Sequence, residues 1–439
     1  MSLPPHHHVD ILRLNTCGSV DDGKSTLIGR LLYDSRSLME DQIEALERSA
    51  DLTGAGSIDL STLTDGLRAE REQGITIDVA YRYFATPRRR FIIADTPGHV
   101  QYTRNMVTGS STANLSIVLV DARQGVTEQS RRHTCIASLL RIPHMVIAVN
   151  KMDLVDWSQE RFVQIRDEFE TFLPRLGVQD VQFIPLSALT GDNVVTPSKY
   201  TPWYPGPTLL GHLESVHIGS DWNLNGFRFP VQWVNRPNRP TDHKLHDFRG
   251  YSGQIAGGTI KVGQKVMVLP SGLITSVKQI WTYDGPLQEA FCPQSVTLVL
   301  EDDVDISRGD MIIGPHHLPG SSSDLRADVC WMHAKPLKAG QKYVLRHTTR
   351  TVAAAISRIE ERIDMTTMDP EPNPEQLARN DVGEIRIQTS GPLVYDGYNT
   401  NRLTGSFILV EQGSNATVAA GMLHPPSEGL QLEYSDFAI

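Results

Sequence analysis

The feature that most constrains this chain is a phosphate-binding loop set between a strand and a helix. Gly18-Ser19-Val20-Asp21-Asp22-Gly23-Lys24-Ser25 matches the pattern G-x-x-x-x-G-K-[ST]. It follows the apolar alternation Ile11–Cys17, which predicts a strand, and opens into Thr26–Leu32, which predicts a helix. Gly18 and Gly23 let backbone N–H groups turn onto phosphate oxygens with no Cβ in the way. The helix N-terminus adds its dipole. In such a loop Lys24 reaches the β- and γ-phosphates and Ser25 offers a hydroxyl to Mg2+, and Thr26, the next residue, is counted with the nucleotide-binding set.

Three further motifs follow in order, each at the end of a predicted strand. Asp95-Thr96-Pro97-Gly98 ends the run Phe91–Ala94, where open α/β sheets place ligand-binding groups. Asp95 is the expected acid for Mg2+, and Gly98 the expected pivot beside the γ-phosphate. Asn150-Lys151-Met152-Asp153 ends the strand Met145–Val149. A carboxylate at Asp153 accepts from guanine N1–H and the 2-amino group, a pair that adenine does not offer, so the site selects GTP over ATP. Asn150 braces the base and its loop, and the Lys151 stem covers the base face. Ser187-Ala188-Leu189 ends the strand Gln182–Leu186 and offers a backbone N–H to guanine O6. Together these motifs specify a GTPase.

The branch is narrower still. Arg71-Glu72-Gln73-Gly74-Ile75-Thr76-Ile77, just before the strand Asp78–Phe84, resembles the first switch of the translation-factor GTPases. That resemblance implies that Thr76 closes over Mg2+ and the γ-phosphate. His99, directly after Gly98, stands where that superfamily orients the attacking water. Asp21 matches the superfamily's Val-Asp pair.

Within the superfamily, Cys17–Leu32 resembles the opening of the large subunit of bacterial sulfate adenylyltransferase. Elongation factor Tu usually has His where this chain has Ser19 and Asp22, and Thr where it has Ser25. Asp65–Glu70, Tyr102–Met106, Arg131–His133, Asn235–Asn238, Asp247–Gly253 and Ile306–Asp310 extend the resemblance over about residues 10–430. Arg239–His246 departs from it and reads as a surface-loop insertion.

Composition agrees with a multidomain soluble enzyme. At 439 residues the prior is about three domains. No apolar run is long enough to cross a bilayer, and no signal-peptide core is present, so a cytoplasmic protein without membrane association is expected. Cys17, Cys135, Cys292 and Cys330 are dispersed and read as reduced core thiols. Met1–Pro5 and His6–His8 read as an unstructured start. The net charge of −10 argues against a nucleic-acid binder, and Arg88-Arg89-Arg90 reads as a solvated hairpin turn.

Up to about residue 205, strands alternate with helical segments at Met39–Ala50, Gln129–Leu140 and Gln159–Phe172. That predicts an α/β P-loop domain with a mostly parallel sheet and helices on both faces. Residues 51–75 form a long polar connection around the switch, and Pro205–Leu210 starts a closing helix with a proline at its N-terminus. Beyond 220 the period becomes two, with strands at Arg228–Val234 and Ser295–Leu300 and turns at Gly257-Gly258 and Val262-Gly263-Gln264. Leu318–Ser323 reads as a linker, and strands follow near 327–333, 342–348, 383–388 and 405–411, with Val352–Ile363 better suited to a strand than a helix. The expected architecture resembles elongation factor Tu: a GTPase domain at 1–218 and two all-β barrels at 219–322 and 323–439.

The sequence holds one P-loop, and it lacks both the S-G-G-x-D-S loop of the family's catalytic partner and a fused adenylylsulfate kinase module. The resemblance therefore implies a heteromeric complex. GTP hydrolysis here, with GTP and Mg2+ as ligands, would drive adenylylsulfate and pyrophosphate formation from ATP and sulfate on the small catalytic subunit. The alternative is a translational GTPase that delivers aminoacyl-tRNA. Ser19, Asp22, the run Asp247–Gly253 and the acidic charge argue against it.

Overall fold

The computed structural model describes residues 10–38, 44, 60–63, 76, 78–178, 180–218, 224, 226–236 and 248–426. The predicted helix at 39–50, most of the connection 51–75, the insertion 239–246 and the first residues lie outside that range, apart from positions 44 and 60–63. By contact density the chain forms two units. One comprises 1–218 with 364–369, the other 219–363 with 370–439.

The first unit is built on six strands: β1 (Ile11–Cys17), β2 (Ala80–Ala85), β3 (Arg90–Asp95), β4 (Leu115–Asp121), β5 (His144–Asn150) and β6 (Asp180–Pro185). They lie in the order β2-β3-β1-β4-β5-β6. All neighbours are parallel except β2, which runs antiparallel to β3. The helices are α1 (Lys24–Asp34), α2 (Thr103–Ser110), α3 (Glu128–Leu139), α4 (Gln159–Phe172) and α5 (Leu209–Ser215). Alternate strand residues face opposite sides. Leu12 and Leu14 of β1 thus share one buried cluster with Leu27, Ile28 and Leu31 of α1 and Leu209 and Leu213 of α5. On the other face α2 meets β1 and β3, and α3 meets β4.

Helix starts follow capping chemistry. Thr127 caps α3 in a reciprocal pair with Ser130, and Ser158 caps α4. For α5 the cap is Thr208, whose side chain accepts from the Gly211 N–H, so the expected proline start gives way to a hydroxyl cap. The Arg88–Arg90 turn also differs from expectation. Arg89 is buried, donates to the carbonyls of Leu213 and Val216 at 2.9 and 2.7 Å, and pairs with Asp10 at 3.0 Å. It closes the C-terminal end of α5, where cations are favoured.

Besides a two-stranded ribbon of Thr259–Lys261 with Glu289–Phe291, the second unit holds two larger antiparallel sheets with separate buried clusters. In the later sheet Lys342–His347 pairs with both Ser406–Val410 and Arg350–Ile363, closing six strands into a ring. Two expectations are corrected. Arg228–Val234 is not one strand but two, Arg228–Pro230 and Trp233–Asn235. The Val231 N–H donates to Asp310 and the Gln232 N–H to Ser252, so the chain changes partner in mid-run. Nor is 318–323 a linker. Gly320–Ser322 pair with Tyr395–Leu393 at the start of a strand running to Trp331, with the register shift between Ser322 and Asp324 absorbing Ser323.

Arg228 and Asp396 form a buried two-point ion pair, both contacts 2.9 Å, joining the two sheets. Thr404 donates to the same carboxylate at 2.6 Å. Removing one member of such a pair leaves a buried charge uncompensated. Arg228→Met should therefore destabilise the second unit by about 3–5 kcal/mol, read as a lower midpoint in chemical denaturation. An unchanged midpoint would show that the pair is not an anchor.

Candidate functional site

The C-terminal ends of β1, β3, β4, β5 and β6 converge on the loop Gly18–Lys24. Gly23 (φ 92) is the N-cap of α1 and Asp21 (φ 67) turns the loop before it. Asp22 folds back on this loop, its buried carboxylate accepting from the Ser19 N–H at 2.6 Å. One loop amide is therefore held by protein. Lys24 is buried, and its ammonium donates to the carbonyls of Gly18 and Ser19 at 2.9 and 2.8 Å. Burial draws its pKa below the ordinary lysine value, while the negative charges of Asp95 and Asp22 oppose that shift. Burial raises the Asp22 carboxyl in turn, with Lys24 counteracting.

The other motifs lock onto this loop. Asn150 donates from Nδ2 to the Asp22 carbonyl at 2.7 Å and accepts at Oδ1 from the Ala188 N–H at 2.9 Å. One buried amide thus ties the phosphate loop to the Ser187–Leu189 loop. Lys151 (φ 62) donates to the Asp21 carbonyl and pairs with Asp121 at 3.0 Å. Its stem is stretched between two loops, as covering a base requires. Asp153 follows Met152 in a short 3-10 turn. Its Oδ1 is buried and has no hydrogen-bond partner among the described residues. An orphaned carboxylate oxygen is costly unless a ligand meets it, and a ligand edge with paired N–H donors, such as guanine N1–H and the 2-amino group, would supply what is missing.

The guanine O6 contact needs refinement. The Ser187 N–H donates to Asp192 at 3.2 Å and that of Ala188 goes to Asn150. Of the three amides, only that of Leu189, whose residue is 59% exposed, has no acceptor among the described residues.

At the phosphate end, Asp95 is buried at the tip of β3 and accepts from the Thr16 hydroxyl at 3.5 Å. A Cβ on Gly98 would lie 2.3 Å from the Gly18 carbonyl and 2.4 Å from the Lys24 ammonium, so only glycine permits this approach. His99 accepts at Nδ1 from the Gln101 N–H at 3.2 Å. A backbone N–H can only donate, so the neutral imidazole carries its proton on Nε2. Ser25 is the second residue of α1 and Thr76 is half-buried. Asp95, Ser25 and Thr76 offer hard oxygen donors, the set that suits Mg2+. Val20 lies in the turn of the loop, and Thr26 is the third residue of α1.

Four supporting residues escaped the sequence reading. Asp121 ends β4 level with Asn150 and takes a 2.6 Å ion pair from Arg123 besides Lys151. Burial would raise its carboxyl, but these donors outweigh it and bring it down to about 2. Arg30 of α1 donates to the carbonyls of Ala188 and Leu189. Gln129 of α3 donates to the Gly98 carbonyl at 2.9 Å and contacts His133 at 3.0 Å. Burial, with Lys24 and Arg132 adding, holds His133 neutral with a pKa of about 3. For Asp121 a signal existed, an acid closing the apolar strand Leu115–Val120 like the other motifs.

Residues 9–222 match the Elongation factor Tu GTP binding domain family, and 324–424 match the GTP-eEF1A C-terminal domain-like family. Sulfate adenylyltransferase subunit 1 of Bacteroides fragilis (strain YCH46) is 53% identical over 97% of this chain and 88% of its own length. The bifunctional enzyme CysN/CysC of Mycobacterium tuberculosis (strain CDC 1551 / Oshkosh) is 56% identical over 94% of this chain and 67% of its own length. Among solved structures, the S. cerevisiae Ski7 GTPase-like domain bound to GDP and inorganic phosphate aligns with a TM-score of 0.52. It covers 95% of this chain and 97% of its own at 18% identity, a likeness of fold.

Asp153→Asn should weaken GTP binding by several kcal/mol and favour xanthosine triphosphate, because the donor–acceptor pattern inverts. Competition with fluorescent GDP reads both affinities. Unchanged GTP affinity would remove Asp153 from the base site.

Proposed function

The chain belongs to the sulfate adenylyltransferase subunit 1 family of elongation-factor-Tu-type GTPases, and from that premise we propose how its site works. It binds GTP between the Gly18–Ser25 loop and the Asn150–Asp153 turn. It hydrolyses it to GDP and phosphate, and this drives ATP and sulfate to adenylylsulfate and pyrophosphate on a partner catalytic subunit. The observation that carries the nucleotide reading is the buried, unpartnered Oδ1 of Asp153 beside loops already tied together by Asn150 and Lys151.

The geometry supports a role for each residue. Lys24 sits at the mouth of the loop with a shifted pKa and two weak carbonyl partners, which it exchanges for phosphate oxygens, stronger acceptors for a cation. Ser25, Thr76 and Asp95 would hold Mg2+, which neutralises charge developing on the phosphates. His99, with its proton on Nε2, orients the attacking water by donating to it. Thr76 and the segment from Asp95 to about Asn105 are the parts that respond to the γ-phosphate.

Coupling has a thermodynamic reason. The phosphoric–sulfuric anhydride is a poor product, and a second hydrolysis draws its synthesis forward only if one conformational equilibrium links both sites. The designation of the relatives as subunit 1 supports placing the adenylyl transfer on a partner subunit.

His99→Ala should keep fluorescent GDP affinity and slow GTP turnover by about 10²–10⁴, whereas Lys24→Ala should lose binding itself. Weak GDP binding by the His99 variant would contradict a water-orienting role.

The coupling is tested by measuring GTP turnover and adenylylsulfate together while adding the catalytic subunit, ATP, Mg2+ and sulfate in turn. Turnover should rise with the subunit and again with sulfate, and adenylylsulfate should exceed the yield from ATP alone. A rate indifferent to the subunit, with nucleotide-dependent binding of aminoacyl-tRNA, would replace this reading with the translational one.

A further inference from the structure

A groove of about 240 Å3 lies on the sheet face of the first unit, between β2 and the α2 end, outside the nucleotide site. Strand register explains its floor. Arg13 of β1 lies level with Ile92 of β3, and Ile92 with Tyr83 of β2, so their side chains share one face. Two residues along, Tyr81 lies level with Ala94. Gly109 and Thr112 form the opposite wall. The aromatic rim of the groove is open: Tyr81 is 46% exposed and Tyr83 is 68% exposed. At the floor stands a cation. Arg13 is half-buried, and its guanidinium has no hydrogen-bond or ion-pair partner among the described residues.

This combination is unusual for a surface that faces only water. Two large aromatics on one sheet face form a patch of the kind that marks an interaction site. Arginine and tyrosine also dominate the binding energy of protein interfaces. A half-buried guanidinium with no anion among the described residues is complementary to a carboxylate, whose two oxygens match its fork.

The groove is also wired to both nucleotide-sensing segments. β2 begins four residues after Thr76, and α2 begins four residues after His99. A Cβ at Gly109 would come within 2.8 Å of the Thr96 methyl and 3.0 Å of Val79. Thr96 in turn donates to the Thr16 carbonyl at 2.6 Å, next to Asp95. The α2 wall therefore faces Thr96, the neighbour of Asp95, and Val79, which leads into β2. Anything that wedges into the groove moves α2 against Thr96, or stops it moving.

We propose that this groove is where the catalytic subunit docks, through a segment that sets a carboxylate on Arg13 and an apolar side chain between Tyr81 and Tyr83. The proposal rests on the coupling described above and supplies its route: occupancy of the groove fixes α2, and with it the segment carrying Asp95 and His99.

The test uses the full chain and the purified catalytic subunit. Arg13→Asp and Tyr83→Ala are compared with wild type for subunit affinity by calorimetry, and for GTP turnover with and without the subunit. Fluorescent GDP affinity should be unchanged in both variants. Subunit affinity should fall at least tenfold in each, more in Arg13→Asp than in Arg13→Lys, and the subunit-dependent rise in turnover should fall in parallel. Should Arg13→Asp lose GDP affinity through misfolding, Tyr83→Ala, at an exposed position, decides alone. Wild-type affinity in both variants overturns the groove and leaves the coupling standing. A wild-type chain that neither binds nor answers the subunit overturns both. Self-association of the wild type that Arg13→Asp abolishes, with subunit affinity intact, would give the groove to a second copy of this chain instead.

Discussion

One side-chain amide holds the nucleotide site together. Asn150 satisfies a carbonyl of the phosphate loop with its NH2 and an amide of the Ser187–Leu189 loop with its oxygen, at 2.7 and 2.9 Å. Both contacts are buried, so neither partner can turn to water if the side chain is lost, and the cost of an unmade bond is larger than the gain of a made one. The three loops are remote in sequence, ending different strands. Beyond the strands that carry them, this short bridge ties them to one another, with Lys151 and Arg30 adding further links. An aspartate at the same place would present two acceptors and no donor, and so could serve only one side.

Around that bridge the charges are arranged as alternating partners rather than as isolated ions. Lys24 lies between Asp22 and Asp95, and Asp121 lies between Lys151 and Arg123. Burial alone would neutralise several of these groups, and each is kept in its working state by an opposite neighbour. A nucleotide's phosphates would enter a field that is already balanced, and so could exchange places with protein carbonyls around Lys24 without leaving a bare charge behind.

Much of this was legible in the sequence because the relevant signals are local. Gly18–Ser25, Asp95–Gly98 and Asn150–Asp153 each sit at the end of an apolar run, and β1 and β5 were located to within a residue by those runs. Asp121, Arg30, Gln129 and His133 were not read because their partners are distant along the chain, as with Arg30 and the carbonyls of Ala188 and Leu189. The same limit explains the errors in the β region. Gly320–Ser322 has loop composition and becomes strand only because Leu393–Tyr395 is there to pair with it. Arg228–Val234 alternates like one strand, yet its hydrogen bonds pass from one partner to another. Arg89 looks like part of a solvated run until the carbonyl end of α5 is placed against it.

The closed ring of strands in the second unit has a consequence for synthesis. Its closing pairs are far apart in the chain: Gly320–Trp331 needs Thr417–Leu423, and Lys342–His347 needs Ser406–Val410. No partial ring is complete until the last of these leaves the ribosome. The sheet of the first unit, by contrast, is finished by Pro185. At about 5–20 residues per second, roughly 240 residues of delay separate the two events by roughly 12–48 s. During that interval a folded nucleotide-binding unit is tethered to long strands with unpaired edges, the state in which nascent chains are most prone to stick to one another. GTP bound at that stage would stabilise the finished unit by mass action while the rest waits for its partners.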